Sequence, residues 1–278
     1  MANADEFDQV RRDPDPIRRG RRATDLMTVY QQRGAELARL RREALEEAHQ
    51  TTGLSYTDLA AQIGITKSRV SQIRKSAPPP ERAFFGVGPV AIGIPHRMGF
   101  EDGRERPFLD ESDEAVRDRL NADLERLSFS TSRFAIRPDT ESLPDGDSIV
   151  VCGPKSAPVA RRLLEADTNL SFEHNSDGWW IIDAQTGLRH GSPYRQDSAR
   201  RSDVGYLSRR IEDNRVIVHI AGITAIGSLG VAHWLTAHLT DVYSPKDTFI
   251  SCAIACDFES ETVITDSRLI AGPYRIER

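Results

Sequence analysis

Arg215-Val-Ile-Val-His-Ile-Ala-Gly222, running on into Ile223-Thr-Ala-Ile-Gly-Ser-Leu-Gly230, is the stretch on which the fold of this 278-residue chain turns. Its apolar residues follow one another without alternation, the pattern of a strand buried on both faces, and a glycine-containing loop then leads to a helix that runs to about Val242. A second run of the same kind, Ser148 to Cys152, is followed by Gly153-Pro-Lys-Ser156 and a helix from Pro158 to about Ala166, with proline in its first turn. Repeated strand-loop-helix units predict an α/β fold with an open sheet of Rossmann-like type. Working outward, Phe84 to Pro95 reads as a first strand and is followed by a polar loop through about Asp110. Asp113 to Leu127 reads as an amphipathic helix on Val116, Leu120, Leu124 and Leu127. Ser171–His174 and Trp179–Asp183 read as an added β-hairpin, with a third stretch near Leu188 to Ser192 after a turn at Gly187. Val204 to Ile211, Phe249 to Phe258 and about Thr262 to Tyr274 are further strands, the last two making an antiparallel end.

The two strand-to-helix loops are the candidate ligand site. If their strands are neighbours, the loops face each other where ligands of α/β sheets bind. Helix N-terminal amides, Ser156, Ser228 and the cation Lys155 would then form a pocket for a small anion, nucleotide-like in kind. The candidate residues are Gly153, Pro154, Lys155, Ser156, Gly222, Gly227, Ser228 and Gly230. Neither loop matches the phosphate-loop or dinucleotide fingerprints, so no cofactor is assigned. The competing reading is that these glycines serve only tight turns and close helix-sheet packing. Asp203 and Glu173 are acids that could act in such a crevice, but no paired-carboxylate or nucleophile motif positions them. His233 and His238, five apart, do not share a helix face as metal ligands would. No catalytic and no metal-binding residue is therefore assigned.

The N-terminal part has a different texture. Residues 1–24, with Pro14, Pro16 and the cluster Arg18, Arg19, Arg21 and Arg22, show no apolar period and read as a disordered basic tail. From Thr24 to about Gln50 a helix is expected on Leu26, Tyr30, Leu37, Leu40, Ala44 and Ala48, its stripe covered by the following helices or by a second copy of the chain. Residues 56–75 read as a helix-turn-helix. Leu59 and Ile63 lie one turn apart on a first helix, and Gly64 marks the turn. Ile65, Val70 and Ile73 give a second helix its apolar side. Ser55 with Asp58, and Thr66, are N-cap signals. The second helix offers Thr66, Lys67, Ser68, Arg69, Ser71, Gln72, Arg74 and Lys75, basic and hydrogen-bonding groups with no acid among them, as a major-groove reader would. Three prolines at 78–80 mark a spacer. The expected organisation is tail 1–24, helix-turn-helix 25–76, linker 77–82 and α/β ligand-sensing domain 83–278.

Charge agrees with that division. The chain carries net −5, yet residues 1–80 hold 14 Lys and Arg against 11 Asp and Glu, while residues 81–278 hold 23 against 31. Cys152, Cys252 and Cys256 form no CxxC pair, which leaves neither a disulfide framework nor a zinc site; Cys252 and Cys256, evenly spaced on a strand, read as buried thiols. No apolar run approaches the roughly 20 residues of a membrane span and no signal peptide is read, so a cytoplasmic location without membrane partners is expected.

Leu54-Ser-Tyr-Thr-Asp-Leu-Ala-Ala-Gln-Ile-Gly-Ile-Thr-Lys-Ser-Arg-Val-Ser-Gln-Ile73 resembles the helix-turn-helix of region 4 of sigma factors and related bacterial regulators. That resemblance implies DNA contacts for Lys67, Ser68, Arg69, Ser71 and Gln72. Nothing resembles a sigma factor's core-polymerase-binding region. Residues 81–278, with Val-Cys-Gly-Pro-Lys-Ser and His-Ile-Ala-Gly-Ile-Thr-Ala-Ile-Gly-Ser-Leu-Gly, are similar to the C-terminal domain of actinobacterial helix-turn-helix proteins of unassigned function. The expected function is a DNA-binding transcriptional regulator whose α/β domain senses a small anionic ligand or a partner. The alternative is a nucleotide-processing enzyme or conflict-system effector that uses the helix-turn-helix for docking.

Overall fold

A computed structural model describes residues 3–277. The chain forms two compact units, one built on the chain up to Pro80 with Val87–Pro89 and Ser128–Ser130, the other on Glu81–Gly86, Val90–Leu127 and the chain from Thr131 onward.

The first unit holds α1 (Asn3–Arg12), α2 (Pro16–Thr52), α3 (Tyr56–Gln62) and α4 (Lys67–Ser76). The expected disordered tail is therefore corrected: within residues 1–24, Met1 and Ala2 lie outside the described residues and the rest is helical but for a short break. The prolines are the reason. Asp15 caps α2 by accepting from the Ile17 and Arg18 amides, and Pro16 takes the first helical position, where a missing N–H costs nothing. Arg18 and Arg22, one turn apart, both ion-pair with the buried Asp13 carboxylate, and the Arg18 hydrogen bond draws that carboxyl below its ordinary range. Tyr30 then ties α1 to α2, its ring against Phe7 and its hydroxyl donating to Glu6 at 3.1 Å.

Leu45, Leu59, Ala60, Val70 and Ile73 form the core shared by α2, α3 and α4. Fully burying a Leu, Val or Ile side chain contributes roughly 1.5–3 kcal/mol. Both expected caps are present: the Ser55 hydroxyl accepts from the Asp58 amide, and the Thr66 hydroxyl from the Arg69 amide, each at 3.2 Å. Gly64 takes φ +73° between the helices, a conformation its missing Cβ permits. Two apolar assignments change. Ile63 caps the end of α3 and stays about half exposed, and Leu37, Leu40 and Ala44 of α2 face outward, so only the C-terminal part of the expected stripe meets α3 and α4. The expected linker 77–82 is extended only as far as Pro79, because Pro80–Phe85 winds into a 3-10 helix that buries Phe84 and Phe85.

The first strand of the second unit is β1 (Val90–Pro95), later than the expected Phe84; then come β2 (Arg97–Glu101), β3 (Arg104–Phe108), α5 (Glu111–Arg126), β4 (Thr131–Ile136), β5 (Asp147–Val151) and α6 (Pro158–Glu165). It continues through β6 (Leu170–Asn175), β7 (Gly178–Asp183), β8 (Arg189–Gly191), α7 (Pro193–Gln196), β9 (Ser202–Glu212), β10 (Arg215–Gly222), α8 (Ala225–Val242), β11 (Asp247–Ser260) and β12 (Val263–Glu277). Seven strands make one mixed sheet in the order β12-β11-β9-β10-β5-β1-β4. β4, β1, β5 and β10 run parallel; β9, β11 and β12 extend the sheet antiparallel. β2 and β3 form a separate hairpin in the segment expected to be a loop, and β6, β7 and β8 a three-stranded sheet.

Tyr206 faces the side where α6 and the three-stranded sheet pack, with Leu164, Ile181 and Ala221 around it. On the opposite face, Gly205 meets the backbone of Gly227 and the side chain of Val231 in α8. Covering on both faces is why β5 and β10 read as unbroken apolar runs. Among the described residues no helix is long and apolar enough to cross a membrane.

Candidate functional site

β5 and β10 pair in parallel, with Val150 opposite His219, so the loops that follow them leave the same edge of the sheet side by side. Between them and the end of β1 is a cleft of about 270 Å³. Of the eight residues singled out in the two loops, Gly153, Lys155, Ser156, Gly222 and Ser228 line it. Pro154, Gly227 and Gly230 do not.

The two remaining glycines serve packing. A Cβ on Gly227 would lie 2.3 Å from the Val204 carbonyl oxygen, and one on Gly230 would lie 2.3 Å from Cys256 Sγ. α8 is thereby seated directly on β9 and β11. Gly222 does both: it borders the cleft, and a Cβ there would run into Thr224 O at 2.0 Å. The Ser228 hydroxyl accepts from the Gly222 amide at 2.8 Å and so holds the loop's shape.

Asp203, at the start of β9, organises the same loop from behind. Its carboxylate accepts from the amides of Val204, Thr224 and Gly227 and from the Thr224 hydroxyl at 2.5 Å, while Thr224 caps α8. Burial pushes the carboxyl up, against the hydrogen bonds that draw it down. Fully buried and filled with donors, it anchors structure. Glu173 lies on the exposed hairpin, ion-paired with Arg189 at 2.9 Å, outside this cleft.

The structure adds residues that the loops alone did not reveal. Arg97, at the base of the β2–β3 hairpin, reaches the cleft and pairs with Asp113 at 2.7 Å and Asp110 at 3.6 Å, both at the start of α5. Burial raises the Asp113 carboxyl, offset by Arg97. Arg195, from the short α7, stands on the other side with Tyr194 and Glu261. Neither Lys155 nor Arg195 makes a side-chain hydrogen bond or ion pair among the described residues. The surrounding protein, then the like charges of Arg97 and Arg195, hold the Lys155 ammonium below its ordinary value. Two cations that make no ion pair, although Asp113 and Glu261 share the lining, give a place for an anion. Cys152 also borders the cleft, but burial pushes its thiol to about 12, so it stays protonated and is a poor nucleophile.

In the other unit, Thr66, Lys67, Ser68, Arg69, Ser71, Gln72, Arg74 and Lys75 are all exposed, while Val70 and Ile73 turn inward. Arg69 donates to Gln72 at 2.6 Å, and Arg74 lies 4.2 Å over the Tyr56 ring, which also stacks near His49. Arg74 thus braces α4 against α3 as well as adding charge. Among the described residues no group of His, Cys, Asp or Glu is placed to hold a metal ion. Comparison with protein-family models, with curated proteins and with solved structures finds no match to this chain.

Proposed function

We propose that this chain is a DNA-binding transcriptional regulator whose α/β unit senses a small anionic, nucleotide-like ligand. The observation that carries the DNA reading is α4, a helix with every polar and basic candidate outside and its two apolar residues in a core shared with α3. This supports a helix-turn-helix in which α4 enters the major groove. The ligand reading rests on the cleft with unpaired Lys155 and Arg195. The sheet order supports a Rossmann-like core: from β1 the chain crosses to β4 on one side, and from β5 it proceeds toward β9 on the other, so the cleft lies where the winding reverses. The outward-facing Leu37 and Leu40 of α2 support a homodimer, the usual arrangement of readers that bind two half-sites.

Electrophoretic mobility shifts on fragments from the protein's own locus test the DNA role. A sequence-specific shift is expected. Substituting Lys67, Arg69 and Lys75 by Ala together should weaken it more than tenfold, and the affinity of the unsubstituted protein should fall linearly on a log-log plot against salt. Equal binding to all fragments, unchanged by the three substitutions, rejects the reading.

A further inference from the structure

The cleft continues past Lys155, Arg195 and Ile223 into a second chamber of about 390 Å³, bordered by His174, Asn175, Trp179 and Trp180. We propose that the two chambers take one ligand, a nucleoside monophosphate, with its phosphate between Lys155 and Arg195 and its base against Trp179. This rests on the reading of the first chamber as an anion site.

Size is the first argument. Pockets for drug-sized ligands measure roughly 300–1,000 Å³. The second chamber, at about 390 Å³, lies within that range, and the first, at about 270 Å³ and edged by charged groups, adds a polar end to it. The shared residues decide the layout: the cations sit at the junction, and Ile223 supplies apolar surface for a sugar between the two parts. A second argument comes from the fixing of one indole. Trp179 is held between Phe172 and His174, with ring centroids 6.5 and 4.9 Å away, on the face of β7 that packs toward Tyr206. Trp180, the next residue of the strand, turns its ring to the other face, against Gly191 and beneath Arg189. Held in place before a ligand arrives, the Trp179 ring loses little freedom when a planar base stacks on it.

Charge sets the number of phosphates. The lining of the two chambers sets Arg97, Lys155 and Arg195 against Asp110, Asp113, Glu261 and Asp177. One phosphate between Lys155 and Arg195 keeps the added negative charge smallest; a triphosphate would bring its further charges against these four carboxylates.

Isothermal titration of the full-length protein with AMP, GMP, CMP, UMP, ATP, ribose 5-phosphate and inorganic phosphate separates the parts of the proposal. At least one nucleoside monophosphate should bind about tenfold or more tightly than ribose 5-phosphate. It should also quench tryptophan fluorescence, since of the three tryptophans only Trp234 lies away from the chamber, buried in α8. Trp179→Leu should bring that nucleotide down to the level of ribose 5-phosphate while leaving ribose 5-phosphate itself unchanged, the latter also showing that the variant is folded. Monophosphates that bind no better than ribose 5-phosphate, in a protein where Lys155→Gln abolishes both, overturn the base chamber and leave the anion site standing. Tighter binding of ATP than of any monophosphate overturns the single-phosphate assignment. If no phosphate compound binds at all, the anion reading falls and this proposal with it.

Discussion

His219 has no access to solvent in the middle of β10. Its Nε2 donates to the Cys152 carbonyl at 2.8 Å, and its Nδ1 has no partner among the described residues. Burial pushes this imidazole from 6.5 down to about 4. Between those values the unfolded chain binds a proton that the folded chain refuses, so the stability due to the neutral ring is complete above about pH 6.5 and is lost as pH falls toward 4. The span corresponds to about 3 kcal/mol. His219→Gln, which keeps a donor toward Cys152, should flatten the fall in denaturation free energy between pH 7 and pH 4 relative to the unsubstituted protein; a parallel pH profile would contradict the account. The buried strand was readable from Arg215 to Gly222, but the role of Asp203 was not. Apart from the Val204 amide next to it, its donors arrive from a loop some 20 residues further along the chain, and only the antiparallel pairing of β9 with β10 and β11 brings them there.

At the scale of elements, legibility followed burial. Strands covered on both faces, β5 and β10, announced themselves by continuous apolar runs. β4, an edge strand carrying Arg133 and half exposed, carried no such signal. The β2–β3 hairpin has one in Asp102-Gly103, both at positive φ and the turn pair that two-residue hairpins favour, but the flanking strands are short and polar for the most part, and their apolar residues Met98 and Phe100 stay exposed. α2 went further than its pattern because the Asp15 cap and Pro16 sit where breakers were read. Its outward residues lead to a prediction. Leu37→Lys with Leu40→Lys should leave far-ultraviolet circular dichroism and the melting temperature nearly unchanged, yet shift the sedimenting species from dimer to monomer and lower DNA affinity. A dimer that survives both substitutions removes this face from consideration. Capping is a separate and smaller effect: Thr66→Ala should cost about 1 kcal/mol, read from urea unfolding.

Across the whole molecule, the three cysteines are buried, and in each burial pushes the thiol to about 12. The native protein should therefore react with a thiol reagent only at the rate at which it opens, and all three should react promptly in denaturant; fast labelling of Cys152 in the folded state would mean that its side of the cleft is looser than described. Charge division between the two ends of the sequence was visible in composition, because counting needs no fold. The cleft was visible only as two loops, since Arg97, Asp113 and Arg195 come from segments whose approach depends on the sheet order. One further consequence concerns α8. Gly227 and Gly230 let this helix rest on β9 and β11 with backbone against strand, and Asp203 holds its first turn. That wall of the cleft is the close-packed one. If the cleft takes an occupant, as proposed, a response is expected first from the parts not seated in this way, foremost the exposed β2–β3 hairpin with Arg97 at its root, the hairpin then being the pointer of the instrument and α8 its frame.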